Sequence, residues 1–367
     1  MAPVIVDKRD EKIIHLIRPD VQKARIGHLP PTRGLIKMDA MESPYSLPAY
    51  LRGEWLEEMQ AITLNRYPDP EATELKAALR QVFDIPPGLE LMLGNGSDEL
   101  IQIINLALKG PPGRKVMAAV PTFAMFQMIA TYAGMGFIGV PLKEDDFSLD
   151  LPAMLAAIEQ HQPAVTYLVR PNSPTGNLYA EKEIVQLAKA SHGLVVVDES
   201  YLEYSGVTML EQLQQHDNLL IMRSLSKVGL AGLRLGYLVG HSKWVSHIEK
   251  LRLPFNINEL TQFTGHFVLG YYDVLLEQVE QIRRDRAWVV ENIRRLKGVE
   301  VFPSETNFVL FRVAEGRGDA VDARLKQKGI LLKNLNDSSP LLKDCLRVTI
   351  GKPSENVAFL SALTSSV

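Results

Sequence analysis

The 367-residue sequence predicts an α/β fold with a mainly parallel sheet, followed by a smaller α+β domain at the C-terminus. Short, almost uninterrupted apolar runs alternate with helix-like segments, and such runs are typical of parallel strands that are buried on both faces. After about Pro254 the pattern changes to a long charged helical segment, 275–297, and then to strand-like residues at 307–312 and 346–350. This change indicates a second, smaller domain.

Five apolar runs before this change are candidates for parallel strands: 116–120, 165–169, 194–197, 219–222 and 237–239. Another strand-like run is 89–93, and helix-like segments include 154–160 and 182–190. Ligands on open α/β sheets bind at the carboxyl ends of the strands. The residues that follow each strand are therefore the first candidates for a functional site.

The composition is that of a soluble enzyme, with 46% hydrophobic and 23% charged residues. The formal net charge of -3 favours neither nucleic acid nor an anionic membrane as a partner. The single cysteine, Cys345, excludes an intrachain disulfide, and the eight histidines show no paired metal-ligand spacing, so we expect no metal. The N-terminus mixes acids and bases unlike a signal peptide, and prolines and glycines interrupt the uncharged stretch 116–142, so we expect a cytosolic location.

The turn after run 89–93 reads Gly94-Asn95-Gly96-Ser97-Asp98-Glu99 and precedes an apolar helix, 100–108. Glycines allow backbone amides to approach a ligand, and a helix N-terminus favours an anion, which makes this a candidate phosphate cradle. An equally good interpretation is a turn capped by Ser97 or Asn95. Glu99 stands where a dinucleotide fingerprint has its third glycine, which argues against that motif.

Three further strand ends carry candidate side chains. Phe123 could stack on a flat ring, although core packing alone also explains it. Asn172 lies in a proline-rich loop, where it could donate to a ligand or brace the turn. Asp198 follows a run of four apolar residues, where it could be a functional carboxylate at the end of the strand or a helix cap.

Run 219–222 leads into the densest set of anion-binding side chains: Ser224, Ser226, Lys227 and, after several small residues, Arg234. A lone surface lysine would indicate nothing. Lys227 lies among small and apolar residues, where burial can lower its pKa and make its amine reactive.

Taken together and in this order, the segments resemble pyridoxal-phosphate (PLP) enzymes of fold type I, and within them the histidinol-phosphate aminotransferase family. The matching segments are Asn65-Arg66-Tyr67-Pro68-Asp69-Pro70, Gly94 to Leu100, Pro121-Thr122-Phe123, Pro171 to Gly176, Asp198 to Tyr201, Ser224 to Gly236, Phe255-Asn256-Ile257-Asn258, Thr306-Asn307-Phe308 and Cys345 to Thr349. They span about residues 40 to 355. The resemblance implies a large PLP-binding domain at 49–260 with a mainly parallel seven-stranded sheet, a small domain at 261–367, and an N-terminal arm at 1–48 that packs with the small domain.

The resemblance also implies roles for individual residues. Lys227 would hold PLP as a Schiff base and later shuttle the substrate α-proton. Asp198 would pair with the ring nitrogen, and Phe123 would stack on the ring. Tyr201 and Asn172 would bind its phenolic oxygen. The phosphate would be held by the remaining members of the set, namely the amides around Gly96, Ser97 and Asp98 together with Ser224, Ser226 and Arg234.

The substrate and the partner subunit involve other residues. By analogy with the family, Tyr67 reaches the phosphate of the neighbouring subunit, which implies a homodimer. Arg347 would hold the anionic end of the substrate, and Lys333 falls where many relatives have a second arginine, although a plain surface charge is a serious alternative. Tyr45 and Asn307 complete the expected substrate contacts.

Two departures from the family pattern stand out. The N-terminal element, usually Asn-Glu-Asn-Pro-Tyr, here reads Met41-Glu42-Ser43-Pro44-Tyr45, so both amides are lost. Arg234 follows Lys227 by seven positions, one fewer than in many relatives, and we expect a deletion near Val228 that leaves the site intact.

The resemblance predicts transamination between L-histidinol phosphate and 2-oxoglutarate, which serves histidine biosynthesis. Alternatives within the fold are an aminotransferase for aromatic amino acids and a PLP-dependent decarboxylase of an amino-acid phosphate. An NAD-dependent oxidoreductase is disfavoured by the missing third glycine. A ligand-sensing domain without catalysis is disfavoured by the full set of catalytic residues.

Overall fold

The computed structural model describes residues 15–23 and 33–367. Its strands, in chain order, are β1 (Ile36–Lys37), β2 (Leu89–Asn95), β3 (Lys115–Val120), β4 (Gly136–Pro141), β5 (Val165–Val169), β6 (Leu194–Asp198), β7 (Leu219–Ser224), β8 (Leu235–His241), β9 (Glu300–Val301), β10 (Phe308–Arg312), β11 (Ile330–Leu331), β12 (Lys333–Asn334) and β13 (Cys345–Thr349).

The α-helices are α1 (Pro19–Lys23), α2 (Ala49–Glu58), α3 (Thr73–Val82), α4 (Ser97–Leu108), α5 (Met125–Ala133), α6 (Leu151–His161), α7 (Glu181–Ala190), α8 (Leu202–Ser205), α9 (Ser242–Ile248), α10 (Glu259–Leu269), α11 (Tyr272–Arg294), α12 (Gly318–Gln327) and α13 (Pro353–Thr364). Within the part of the chain that the structure describes, no helix is both long enough and apolar enough to cross a bilayer.

The centre of the molecule is a seven-stranded sheet with the order β2-β8-β7-β6-β5-β3-β4. Neighbours from β7 through β4 pair in parallel. Every residue of β5 and β6 is buried, as expected for strands whose two faces are both covered by helices. The prediction of an α/β fold with a mainly parallel seven-stranded sheet is confirmed.

One strand differs from the expectation that the apolar runs are all parallel. β8 pairs antiparallel with both β7 and β2. Only the short segment 225–234 connects β7 to β8, whereas a parallel crossover needs a dozen or more residues. The chain therefore turns back at the carboxyl end of β7, and this return holds Lys227 and Arg234 at the same edge of the sheet.

Local sequence explains where the helices around this edge begin. Asp150 caps α6 by accepting from the Ala153 amide at 3.1 Å, and Asn258 caps α10 by accepting from the Thr261 amide at 3.0 Å. α4 begins directly after Gly96, whose φ of +81° favours glycine. The N-terminus of α4 consequently lies at the carboxyl end of β2.

The C-terminal part forms a four-stranded antiparallel sheet with the order β12-β13-β10-β9. The N-terminal segment packs with this part of the chain, because β1 pairs in parallel with β11 in a separate two-stranded sheet. This pairing supports the proposal that an arm, 1–48, packs with a small domain, 261–367; the part of the arm at 1–14 and 24–32 lies outside the described residues. The boundaries of these domains and of the large domain, 49–260, remain a proposal.

Candidate active site

A cavity of about 200 Å³ lies at the carboxyl ends of β5, β6 and β7, against the N-terminus of α4. Its lining includes these predicted site residues: Ser97, Asp98, Phe123, Asp198, Tyr201, Ser224, Ser226, Lys227 and Arg234. Side chains that are far apart in the sequence thus meet in one cavity because parallel strands end at the same edge of the sheet.

Lys227 ends a single turn of 3-10 helix, Leu225–Lys227, that follows β7 directly. The Ser224 hydroxyl caps this turn by accepting from the Ser226 amide at 3.1 Å. Burial lowers the pKa of the Lys227 amine to about 8; the positive charge of Arg347 lowers it further, whereas Asp198 and other acids oppose the shift. A larger share of this amine than of an ordinary lysine is therefore uncharged near neutral pH and able to act as a nucleophile.

Asp198 is the last residue of β6 and is buried. Ser200 holds its Oδ1 atom twice, through the backbone amide at 2.9 Å and through the hydroxyl at 2.5 Å. Burial raises the pKa of Asp198 to about 6, while the bonds from Ser200 and the charge of Lys227 act in the opposite direction. The carboxylate is thus fixed in place and suited to a cationic or N–H partner in the cavity.

The Tyr201 hydroxyl donates to the sulfur of Met41 at 3.1 Å, and its ring packs edge-on against Phe308 with centroids 5.5 Å apart. Burial raises the pKa of Tyr201 to about 12, so the phenol stays a donor at neutral pH. The Lys227 Nζ atom lies 6.0 Å from the centre of the Tyr201 ring. Tyr201 therefore bridges the lysine and the N-terminal segment.

The opposite end of the cavity is rich in anion-binding groups. A Cβ atom at Gly96 would lie 2.5 Å from Nη2 of Arg234, and one at Gly236 would lie 2.7 Å from the Gly96 carbonyl carbon. At Gly236 only a glycine allows the backbone of the turn to lie this close to the strand, and at Gly96 the φ of +81° favours glycine. Arg234 also lies 3.5 Å from the Asp98 carboxylate, whose other oxygen is buried and unpaired among the described residues.

A second cavity, of about 710 Å³, adjoins the first and shares Met41, Phe123 and Ser173 with it. Arg347 lines this cavity, donating from Nη1 to the Ser173 hydroxyl at 3.2 Å and from Nη2 to the Asp39 carbonyl at 3.0 Å. Lys333 lies opposite Arg347 in the β12–β13 pairing and lines the same cavity. Two cations on one wall favour an anionic ligand.

Four of the predicted side chains line neither the first nor the second cavity. Asn172 donates to the Pro121 carbonyl and the Thr175 hydroxyl and accepts from Thr122, so it braces its loop. The Asn307 amide donates to the Met41 carbonyl at 2.9 Å.

The other two of the four side chains belong to tyrosines. Tyr45 lies in a separate groove against α11. Tyr67 is 81% exposed and stacks on Phe255, with ring centroids 4.6 Å apart. Neither tyrosine contacts the cavity of its own chain.

Sequence reasoning missed the two residues that hold Asp198 and Tyr201. Ser200 could have been found, because an aspartate side chain often accepts from the backbone amide two positions later. Met41 stands out in the sequence only as a departure from the family pattern. Its backbone is pinned by Asn307 and by the Thr349 hydroxyl, and this places its thioether beside Tyr201.

The geometry defines a class of protein that carries a half-buried lysine and a buried aspartate in one cavity, with an anion cradle beside them. The family model of aminotransferase class I and II matches residues 47–363. The chain therefore belongs to the aminotransferase class I and II family, as predicted, and it is an enzyme of the aminotransferase type.

Within this family, the chain is similar over nearly its whole length to histidinol-phosphate aminotransferases. It is 47% identical to histidinol-phosphate aminotransferase 2 of Nitrosococcus oceani, covering 96% of this chain and 98% of the relative. It is 44% identical to histidinol-phosphate aminotransferase 1 of Ralstonia nicotianae, covering 98% and 96%. The crystal structure of the Sinorhizobium meliloti histidinol-phosphate aminotransferase in complex with pyridoxal-5'-phosphate superimposes with a TM-score of 0.84 at 24% identity, covering 95% of this chain and 97% of that one, and shows the same fold.

Proposed function

We propose that the chain transfers an amino group between L-histidinol phosphate and 2-oxoglutarate, giving imidazole-acetol phosphate and L-glutamate, with PLP bound at Lys227. The observation that carries the proposal is the single cavity that Lys227 and Asp198 both line. The relatives at 44% to 47% identity support the substrate assignment.

The residues of the cavity fit PLP by their chemistry. Lys227 provides the amine for an aldehyde, and Asp198 provides a carboxylate for a ring nitrogen. Phe123 offers an aromatic face. The cradle joins the guanidinium of Arg234, the hydroxyls of Ser224 and Ser226, and the first amides of α4, a donor set suited to a phosphate group.

When bound, PLP supplies an electron sink for the bond that breaks at the substrate α-carbon. The Lys227 amine accepts the α-proton and returns it, a task for which a pKa of about 8 is well matched. Asp198 retains a proton on its ring-nitrogen partner, and Ser200 holds the carboxylate in position. The Tyr201 hydroxyl donates a hydrogen bond to an acceptor in the cavity, in place of its bond to the weak thioether acceptor of Met41.

The second cavity is proposed to hold the rest of the substrate. Arg347 and Lys333 bind its phosphate, and Arg347 also binds the carboxylates of glutamate and 2-oxoglutarate. Asn307 acts at this site by holding Met41. Tyr45 is proposed to reach the substrate only through a movement of the N-terminal arm. The Asn172 amide donates to groups of its own loop and of a neighbouring loop, so Asn172 is proposed to hold these loops in place beside the cofactor ring rather than to bind the ring itself.

We further propose a homodimer in which Tyr67 of one subunit completes the phosphate site of the other. The exposure of Tyr67, at 81%, supports this assignment, since a tyrosine this exposed is available to a partner. The other partners are the small-molecule amino donor and keto acid. A cytosolic location remains part of the proposal.

A half-reaction measurement tests the substrate. Purified PLP-loaded protein is mixed in turn with histidinol phosphate, phenylalanine and threonine phosphate, and the change in cofactor absorbance is followed. The proposal predicts the fastest change with histidinol phosphate. Preference for phenylalanine would identify an aromatic aminotransferase, and release of carbon dioxide from threonine phosphate would identify a decarboxylase; either result refutes the substrate assignment.

A further inference from the structure

The backbone of Lys227 has a partner that the proposed chemistry does not use. The Tyr204 hydroxyl donates to the carbonyl oxygen of Lys227 at 2.8 Å. Tyr204 lies on α8 and is fully buried. Burial raises the pKa of its phenol, so the hydroxyl keeps its proton and remains a donor across the pH range in which an enzyme works.

The Lys227 carbonyl is a group that needs such a donor. Lys227 is the last residue of a single 3-10 turn, and carbonyls at the end of a helix lack partners within that helix. This peptide group adjoins the Cα atom that carries the side chain, so holding it restricts the backbone torsion ψ of Lys227. A bond at the carbonyl therefore restricts where the amine lies.

We propose that Tyr204 is a positioning residue for the reactive amine: its hydroxyl holds the Lys227 peptide, and through it the angle at which the amine meets the cofactor. This inference rests on the proposed function, since it assumes that Lys227 carries PLP. Tyr204 lines neither cavity; its hydroxyl bonds the Lys227 carbonyl and also lies beside the side chain of Asn307.

The spacing of residues supports this role. Asp198, Tyr201 and Tyr204 follow one another at intervals of three, from the end of β6 into α8. The first two residues line the cavity, and the third reaches the backbone of the lysine. One short segment thus sets the carboxylate, the phenol and the lysine peptide relative to one another.

The structure offers two matched controls for the variant Tyr204→Phe. The Tyr167 hydroxyl donates to Oδ1 of Asn105 at 2.8 Å, so Tyr167→Phe also removes one buried hydrogen bond, but away from the lysine. Tyr179 is buried and its hydroxyl has no partner among the described residues, so Tyr179→Phe removes an oxygen and no bond.

The test measures the PLP-loaded protein in two ways. First, cofactor absorbance is titrated against pH, and Tyr204→Phe is expected to shift the midpoint by about half a pH unit or more. Second, steady-state kinetics are expected to show kcat reduced roughly five- to tenfold with KM nearly unchanged, the effect of one lost hydrogen bond on a reacting group. Both control variants should titrate like the wild type, although Tyr167→Phe should lose thermal stability.

An unchanged midpoint in Tyr204→Phe, or an equal shift in Tyr167→Phe, overturns the inference. If Tyr204→Phe does not fold, a fluorotyrosine at position 204 replaces it: a more acidic phenol donates more strongly, and a midpoint that does not move is then the refuting result. Borohydride treatment of the wild type distinguishes a failure of the proposed function from a failure of the role proposed for Tyr204. A missing adduct on Lys227 refutes the proposed function itself, whereas an adduct with an unmoved midpoint refutes only the role of Tyr204.

Discussion

Lys227 and Asp198 line one cavity, and the charge of each opposes the pKa shift that burial imposes on the other. Burial raises the pKa of the acid to about 6 and lowers that of the amine to about 8. Holding two groups of opposite charge in one cavity costs stability because each charge is partly desolvated, and such an arrangement is typical of a site that binds a ligand. The stability of the cofactor-free protein should therefore depend on the protonation of this pair.

Asp198→Asn should change how stability depends on pH in the cofactor-free protein. The pKa of the folded carboxyl, about 6, lies above its ordinary value of 3.8, so the native state binds this proton more tightly than the unfolded state does. The free energy of unfolding should therefore fall by about 3 kcal/mol as pH rises from about 4 to about 6. The Asn side chain does not titrate in this range. Urea unfolding of both proteins between these pH values measures how the difference in their free energies of unfolding changes with pH. A constant difference at every pH would contradict the prediction.

The buried ion pair between Glu199, the residue after Asp198, and Arg223 should contribute strongly to stability. Glu199 accepts from Nε and Nη2 of Arg223 at 3.0 and 2.9 Å, with both side chains almost fully buried. Glu199→Gln leaves a buried charge without its partner and should destabilise the protein by about 3 to 5 kcal/mol in urea unfolding. Glu291, which pairs with Arg295 on the exposed face of α11, is the control, and Glu291→Gln should change stability by less than about 1 kcal/mol. Equal losses of stability in Glu199→Gln and Glu291→Gln would show that the Glu199–Arg223 pair does not stabilise the protein more than an exposed pair does.

Lys333 should affect binding of the phosphate substrate but not folding. Its side chain lines the second cavity beside Arg347 and is exposed. Lys333→Ala should raise KM for histidinol phosphate roughly tenfold, the typical effect of losing one charge-assisted hydrogen bond, and leave the melting temperature unchanged. Lys333→Arg should retain most of the affinity, and phenylalanine, which has no phosphate, serves as the control substrate. If KM rises equally for both substrates, Lys333 does not bind the phosphate.

The proposed role of Tyr67 can be tested by mixing subunits. Tyr67→Ala and Lys227→Ala proteins should each be nearly inactive. In a hybrid dimer, one of the two sites receives both natural residues, so random mixing should recover up to about a quarter of the wild-type activity. Two different affinity tags isolate the hybrid. Hybrids that form but show no recovered activity would place Tyr67 in the site of its own chain, whereas an active Tyr67→Ala homodimer would place it in no site.

The α/β architecture could be predicted, as could the grouping of most candidate side chains in one cavity, because both depend on local patterns. Buried parallel strands are continuous apolar runs, and the polar residues after them meet at one edge of the sheet. The strand ends made Asp198, Ser224 and Lys227 candidates, whereas their individual roles came from the family resemblance and remain predictions.

Features that depend on contacts between distant segments could not be predicted in this way. The antiparallel direction of β8 depends on the short connection before it, and an apolar run looks the same in either direction. Asn172 is occupied within its loop because Pro121 and Thr122, some fifty positions earlier, lie beside it. The approach of Met41 to Tyr201 depends on the C-terminal sheet, which pins the N-terminal segment through Asn307 and Thr349.

Lys227 is proposed to form the covalent link to PLP, and chemical reduction of that link identifies the lysine involved. The purified protein is reduced with borohydride, digested and analysed by peptide mass spectrometry, with Lys227→Ala treated in parallel. We predict a pyridoxyl group on the peptide that contains Lys227 and none in the variant. A pyridoxyl group on a different lysine, or its absence from a protein that still exchanges amino groups, would contradict the account.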